Sequence, residues 1–160
     1  MTDVVSREVR SRMMSGIRSR NTKPEVTLRS VLHARGFRFR IHRKDLPGRP
    51  DIVLPRYRAI IQVHGCFWHG HGCEFFRYPA TNPDFWREKI AQNRARDERT
   101  TEALKVLGWR VLTVWECAVR GSDRETLADA VTGWIVSGKA GGELGKNGHG
   151  VAPAGADGDP

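Results

Sequence analysis

Acidic side chains are scarce in this sequence. Its 160 residues hold 18 Asp and Glu against 27 Lys and Arg, giving a formal charge of +9 and a pI near 10.2. No run approaches the ~20 consecutive apolar residues that cross a bilayer as a helix, so a helical membrane span is excluded. No charged-then-apolar leader opens the chain, and secretion is not expected. The 3 cysteines are too few, and odd in number, for a disulfide framework; they suit a reducing compartment. Cytoplasmic residence is the expectation. No internal repeat is visible. Hydrophobic residues still reach 39%, enough for one packed domain, which excludes a wholly disordered chain.

The positive charge is unevenly placed. Residues 1–49 carry 13 basic and 4 acidic groups, residues 50–138 carry 12 and 11, and residues 139–160 carry 2 and 3. The whole excess therefore lies in the first third, mostly as Arg, which pairs with phosphates in a bidentate way. A field of that sign favours a polyanion through counterion release, and nucleic acid is the expected partner. The alternative is a merely solubilising surface.

The body reads as mixed α/β. A short basic helix is expected over 6–18, with Met13, Met14 and Ile17 as its larger apolar groups. Thr22-Lys23-Pro24-Glu25 has the form of a capping box, with Thr22 as N-cap and Glu25 at N3. The helix behind it carries Val26, Leu28, Val31 and Leu32, and Gly36 stops it. Phe37, Phe39 and Ile41 alternate with Arg38, Arg40 and His42, a strand with one basic face. Ile52-Val53-Leu54 and Ala59 to His64 form a hairpin around Pro55–Arg58. Asn82 as cap and Pro83 at N1 open a long helix to Leu107, with Gly108 as its stop. A buried strand over 109–115 and a helix from Ser122 or Asp123 complete the order α-α-β-β-β-α-β-α, a sheet with helices packed on it. Trp109, Trp115 and Trp134 are expected in the core. Residues 139–160 are Gly-rich and nearly free of large apolar groups; they read as a disordered tail after a domain spanning 1–138.

Two groups of residues carry chemistry. Cys66, His71 and Cys73, with Cys117 far downstream, supply three thiolates and an imidazole, a set that suits a closed structural zinc. His64 and His69 are close enough that spacing alone does not choose the histidine, and three buried core cysteines are the alternative. The second group needs a harder ion. Antiparallel pairing brings Asp51, after Arg49-Pro50, close to Gln62-Val63-His64, with His69 just beyond. A carboxylate beside backbone carbonyls is an oxygen site suited to Mg²⁺, with a histidine placed to take a proton from water. A turn-forming Asp and a hydrogen-bonded His are the plainer reading. Phe67, Trp68 and Trp86 lie around these sites, where rings could wedge between bases; Trp86 is also a candidate core cap.

Together these residues resemble the very-short-patch mismatch repair endonuclease (Vsr) family. The likeness rests on Leu46-Pro47-Gly48-Arg49-Pro50-Asp51, His64-Gly65-Cys66-Phe67-Trp68-His69 and Pro79-Ala80-Thr81. It continues through Phe85-Trp86, Glu88-Lys89-Ile90, Leu107-Gly108-Trp109-Arg110-Val111 and Val114-Trp115-Glu116-Cys117-Ala118, and covers roughly residues 6–138. It implies a restriction-endonuclease-like α/β fold of the PD-(D/E)xK type, a mixed sheet flanked by helices with a structural zinc loop. It also implies Mg²⁺-dependent nicking 5′ of the thymine in a T·G mismatch, the product of 5-methylcytosine deamination. Carried over, Asp51 is the Mg²⁺ carboxylate and the Val63 main-chain oxygen a second ligand. His69 matches the general base, and His64 and Glu25 match supporting groups. Cys66, His71, Cys73 and Cys117 match the zinc ligands. Phe67, Trp68 and Trp86 match an intercalating wedge, Met14 and Ile17 match apolar groups from the opposite groove, and Lys89 and Asn93 match positions facing the mismatched pair. This chain has Val63 where the better-known pattern has Thr, an exchange that keeps a carbonyl ligand and removes a hydroxyl. Gln62 and His64 stand where the wider class has its second acid and lysine.

The sequence therefore predicts a strand-nicking DNA endonuclease. It is expected to act as a monomer on double-stranded DNA in the nucleoid, with a mismatch-repair protein as a candidate partner. A non-catalytic zinc-stabilised DNA-binding protein and a restriction-type endonuclease on paired sites are the alternatives.

Overall fold

Residues 21–73 and 77–145 are described by the structure, a computed structural model. The helix expected over 6–18, with Met14 and Ile17, lies outside these residues, as does 146–160.

Helix α1 (Lys23–Ala34) starts at Thr22, whose hydroxyl oxygen accepts the Glu25 N–H at 3.5 Å, with Pro24 in the first turn. Leu28, Val31 and Leu32 recur at helical spacing and are buried. The capping box is only half formed: the Glu25 carboxylate accepts the Asn21 N–H at 3.0 Å instead of that of Thr22. Of the strand expected over 37–42, only Arg40–Ile41 (β1) pairs; Phe37 and Phe39 pack against the core without joining the ladder. The hairpin forms as predicted. β2 (Ile52–Leu54) and β3 (Ala59–His64) run antiparallel around a short 3₁₀ turn, with Ile52 opposite Ile61.

Helix α2 (Pro83–Val106) then crosses to β4 (Arg110–Trp115), which pairs parallel with β3. Asn82 stands at the N-cap of α2 but has a φ of 53° and makes no side-chain capping bond, so Pro83 alone supplies the start signal. Helix α3 (Glu116–Gly121) follows β4 directly and was not predicted. Asp123 caps α4 (Arg124–Ser137) by accepting the Thr126 N–H at 2.7 Å. The result is a mixed five-stranded sheet in the order β1-β2-β3-β4-β5, flanked by helices.

Strand β5 (Gly141–Leu144) corrects the expected tail boundary. It pairs parallel with β4, and Leu144 joins the main core. Three anchors outside the segment's own composition hold it there. The open edge of β4 supplies backbone partners, Trp134 Nε1–H donates to the Gly141 carbonyl at 3.1 Å, and Arg110 donates to the Lys139 carbonyl at 3.1 Å. The folded unit thus reaches at least to residue 145.

Strand periodicity divides the core. Ile52, Leu54, Ala59, Ile61, Leu112 and Val114 face α1, α3 and α4, whereas Val53, Ile60 and Val111 pack with Leu104 of α2. By the same alternation Gln62 and His64 point to the α2 side, which carries the chemistry described next. Trp115 and Trp134 are buried as predicted, and Trp109 is partly buried against the smaller cluster. Among the described residues no helix is long and apolar enough to cross a membrane.

Candidate active site

The mouth of the hairpin is shaped by a proline. Carrying the β2–β3 register two steps outward sets Asp51 opposite Gln62 and Pro50 opposite Val63. Pro50 has no N–H to offer, so the Val63 carbonyl loses its ladder donor. The Val63 N–H is taken instead by Asp51 Oδ2 at 2.8 Å. In an extended strand the N–H and C=O of one residue face the same edge, so a carboxylate and an unladdered carbonyl oxygen meet at this corner.

Asp51 is largely buried, and burial, followed by the neighbouring Glu25 carboxylate, pushes its pKa up to about 7, against the lowering effect of the Val63 N–H. Glu25, only 2% exposed, is held through Oε2 by the Asn21 N–H at 3.0 Å and by His42 Nε2 at 3.1 Å, with Arg29 Nη2 3.7 Å away. Glu25, His42 and Asp51 each present a ligand-type atom within 4.8 Å of the others. Two acids so close, with oxygen donors and access to solvent, suit a hard divalent cation, which relieves both burial and repulsion.

Across the cleft the His64 and His69 rings stack with centroids 4.1 Å apart and planes nearly parallel, at 4°. Burial, then the neighbouring His69, draws the His64 pKa down to about 4, so this imidazole is neutral at pH 7. His64 Nε2 meets Gln62 Oε1 at 3.1 Å. His69 Nδ1 is hydrogen-bonded to the Asp97 carboxylate. That contact fixes the tautomer: Nδ1 carries the proton and Nε2 is left as the base. Sequence reasoning missed Asp97. The available signal was its place on α2, one turn beyond Asn93 and two beyond Lys89 on the same helix face.

The same helix clamps the loop after β3. Asn93 Nδ2 donates to the Trp68 carbonyl at 2.8 Å, and Arg94 donates to the carbonyls of His69 at 3.0 Å and Gly70 at 2.6 Å. Asn93 is 6% exposed, and its Oδ1 accepts from Arg96 at 2.7 Å, so both ends of its amide are engaged within the protein. Lys89 is exposed and lines the cleft of about 640 Å³ that also contains Asp51, His64 and His69. Phe67 and Trp68 are half-buried at its rim, and Phe67 meets Trp86 edge to face at 5.3 Å. Trp86 itself is 7% exposed and acts as the base of this aromatic cluster.

Of the three histidines near the sulfur ligands, His71 is the one grouped with them. Cys66, His71, Cys73 and Cys117 place their ligand atoms within 4.8 Å of one another, while His64 and His69 group with Asp97. His71 Nδ1 lies 3.6 Å from Cys66 Sγ and 3.5 Å from Cys117 Sγ. Tetrahedral zinc, with bonds of about 2.3 Å to sulfur and about 2.05 Å to nitrogen, spaces an S···N edge at about 3.6 Å, so the donor set fits it. Burial raises the Cys66 thiol above its ordinary value. A soft cation is the partner that would hold it as thiolate. His71 lies flat on Trp115 at 4.1 Å, and the edge of the same indole meets His64 at 5.4 Å.

The family profile described as DNA mismatch endonuclease Vsr matches residues 2–75. The DNA mismatch endonuclease Vsr of Escherichia coli is 47% identical over 138 residues, covering 84% of this chain and 88% of the relative. The chain belongs to the Vsr endonuclease family. The type II nicking enzyme V.XorIIP of Xanthomonas oryzae pv. oryzae is 56% identical over 117 residues, 73% of this chain and 86% of the relative. V.NmeAIP of Neisseria meningitidis, also a type II nicking enzyme, is 44% identical over 120 residues, 75% of this chain and 86% of the relative. As a Vsr-family member the protein is a DNA-nicking endonuclease, and DNA is its partner.

Proposed function

We infer that this protein nicks one strand of duplex DNA on the 5′ side of the thymine in a T·G mismatch, the product of 5-methylcytosine deamination. The observation that carries the reading is the pairing of the Asp51 carboxylate and the Val63 backbone with an oriented His69–Asp97 couple across one cleft. Asp51 and the Val63 carbonyl would hold Mg²⁺, which supplies polarisation of the scissile phosphate and charge stabilisation at the departing 3′ oxygen. His69 accepts the proton of the attacking water at Nε2, and Asp97 stabilises the imidazolium that forms. The P–O3′ bond breaks as the new P–O bond forms, leaving a 5′ phosphate and a 3′ oxygen that takes a proton from solvent water to become the hydroxyl. Neutral His64 and buried Glu25 orient water and phosphate beside this centre.

Cys66, His71, Cys73 and Cys117 would hold a structural zinc, a complete four-ligand set with no position for substrate. Through these four residues the loop bearing Phe67 and Trp68 would be tied to the start of α3. These rings, with Trp86 behind them, act as a wedge, and a mispaired step costs less to unstack than a paired one. Lys89 faces the opened pair, and Asn93 steadies the wedge through the Trp68 carbonyl. The protein works as a cytoplasmic monomer on nucleoid DNA.

Nicking of end-labelled T·G and matched duplexes, with and without Mg²⁺, tests the reading. Mg²⁺-dependent cleavage of the T·G strand alone is expected. Equal cleavage of the matched duplex indicates a restriction-type enzyme. Tight T·G binding with no cleavage indicates a recognition module.

A further inference from the structure

One residue contacting the proposed Mg²⁺ site has no part in the chemistry described above. His42 follows the two-residue strand β1, and its φ of 47° lies in the left-handed region that non-glycine residues disfavour. Such conformations persist where surrounding contacts fix them. The contact here is specific: the largely buried ring, 13% exposed, places Nε2 3.1 Å from Glu25 Oε2. Because a carboxylate only accepts, Nε2 must carry the hydrogen in this bond. The Asn21 N–H and Arg29 Nη2 approach the same oxygen. Two hydrogen bonds to one oxygen, with the Arg29 guanidinium 3.7 Å away, set the rotation of the carboxylate. Among the described residues none of the three reaches Oε1, and Asp51 lies within the same 4.8 Å group.

We propose that His42 is a positioning residue for metal-bound water: its Nε2–H locks Glu25 through Oε2, so that Oε1 is presented beside Asp51 to the hydration shell of the divalent ion. The proposal rests on the Mg²⁺ reading of Asp51 given above. A positioning role of this kind is carried by a hydrogen bond and not by the imidazole as such. A side chain with a donor at the same reach should replace it, and one without that reach should not.

His42→Asn is the informative loss, because Asn accepts a left-handed backbone but is too short to span to Glu25. His42→Gln is the matched rescue, since its amide donor extends further. Two readouts are taken on zinc-loaded protein: Mn²⁺ affinity without DNA, from the electron paramagnetic resonance signal of free Mn²⁺, and the single-turnover nicking constant on a T·G duplex at saturating protein. His42→Asn should weaken Mn²⁺ binding and slow nicking by about tenfold each, within the range for partners of metal ligands. Affinity for the duplex should stay at the wild-type value. His42→Gln should recover both to within about threefold, and His42→Asn added to Glu25→Gln should cause no further loss.

A His42→Asn protein with a lowered melting temperature but wild-type Mn²⁺ affinity and nicking constant would make the residue merely structural and overturn the proposal. So would His42→Gln as impaired as His42→Asn, or a full extra loss in the Glu25→Gln background. Asp51→Ala serves as the control for the underlying reading. If it leaves Mn²⁺ binding intact, the metal site itself is misplaced; if it abolishes binding while His42→Asn does not disturb it, only the His42 assignment fails.

Discussion

The four ligand atoms of the sulfur pocket lie within 4.8 Å of one another, with two spacings that match a tetrahedral zinc, whereas the carboxylates of the cleft repel one another. The sulfur pocket is deep, with Cys66 and Cys117 fully buried, and its histidine is braced flat against the indole. The oxygen site opens into a broad cleft, and burial and Glu25 drive Asp51 toward the protonated acid. The contrast separates two uses of a metal. A closed soft site returns its binding energy as stability, because chain segments distant in sequence become one rigid piece. The proposed hard site does the opposite: burial and the neighbouring Glu25 disfavour the ionised Asp51, so a divalent ion bound there would spend part of its affinity on restoring the carboxylate.

The strongest test of the contrast is Asp51→Ala, which should lower single-turnover nicking by about a thousandfold or more while T·G duplex affinity changes little. Retained turnover would remove Asp51 from the mechanism. On the sulfur side, Cys117→Ser should lose bound zinc and destabilise the fold by roughly 3 kcal/mol, read by metal analysis and thermal melting. Unchanged zinc content and melting temperature would make the pocket an ordinary core.

A third test uses pH. In Mg²⁺-free buffer the folded protein holds the Asp51 proton more tightly than the unfolded chain, whose carboxyl titrates near 3.8. The fold is therefore favoured below about 4 and loses stability as pH rises through about 7. Asp51→Asn should remove that loss, melting higher than wild type at pH 8 and gaining at most about 4 kcal/mol of stability for a pKa raised from 3.8 to about 7. Mg²⁺ should raise the wild-type melting temperature and leave that of the variant unmoved; an identical pH profile for the two would show that Asp51 carries no such penalty. The smallest effect is expected at the wedge. Trp68→Ala should reduce the preference for T·G over matched duplex by about tenfold, in the range of one base–aromatic stack, and overall affinity less. A uniform loss on both duplexes would contradict a wedge.

The hairpin and its acid were legible because their signals are local. A Pro-Asp pair, two apolar strands and a short turn determine the register, and the register determines what meets what. Spacing alone did not separate His71 from His64 and His69, because the three lie close together at the end of β3 and in the loop after it, and only folding sends one to the sulfurs and two to the cleft. Asp97 reaches His69 from a helix 28 residues away, and His42 read as one more member of a basic strand face. Strand β5 was hidden for a different reason. Its glycines carry no hydropathy signal, and the bonds that hold it come from Trp134, Arg110 and the edge of β4.

Position 50 places the sturdiness of the sheet and its usefulness in opposition. Any of the other nineteen amino acids there would bring an amide hydrogen to the end of the hairpin, where the paired ladder stops at Ile52 and Asp51 takes the Val63 N–H. A rung added at that point would make the sheet harder to unfold at its margin and would compete for the Val63 backbone with the ion proposed at Asp51.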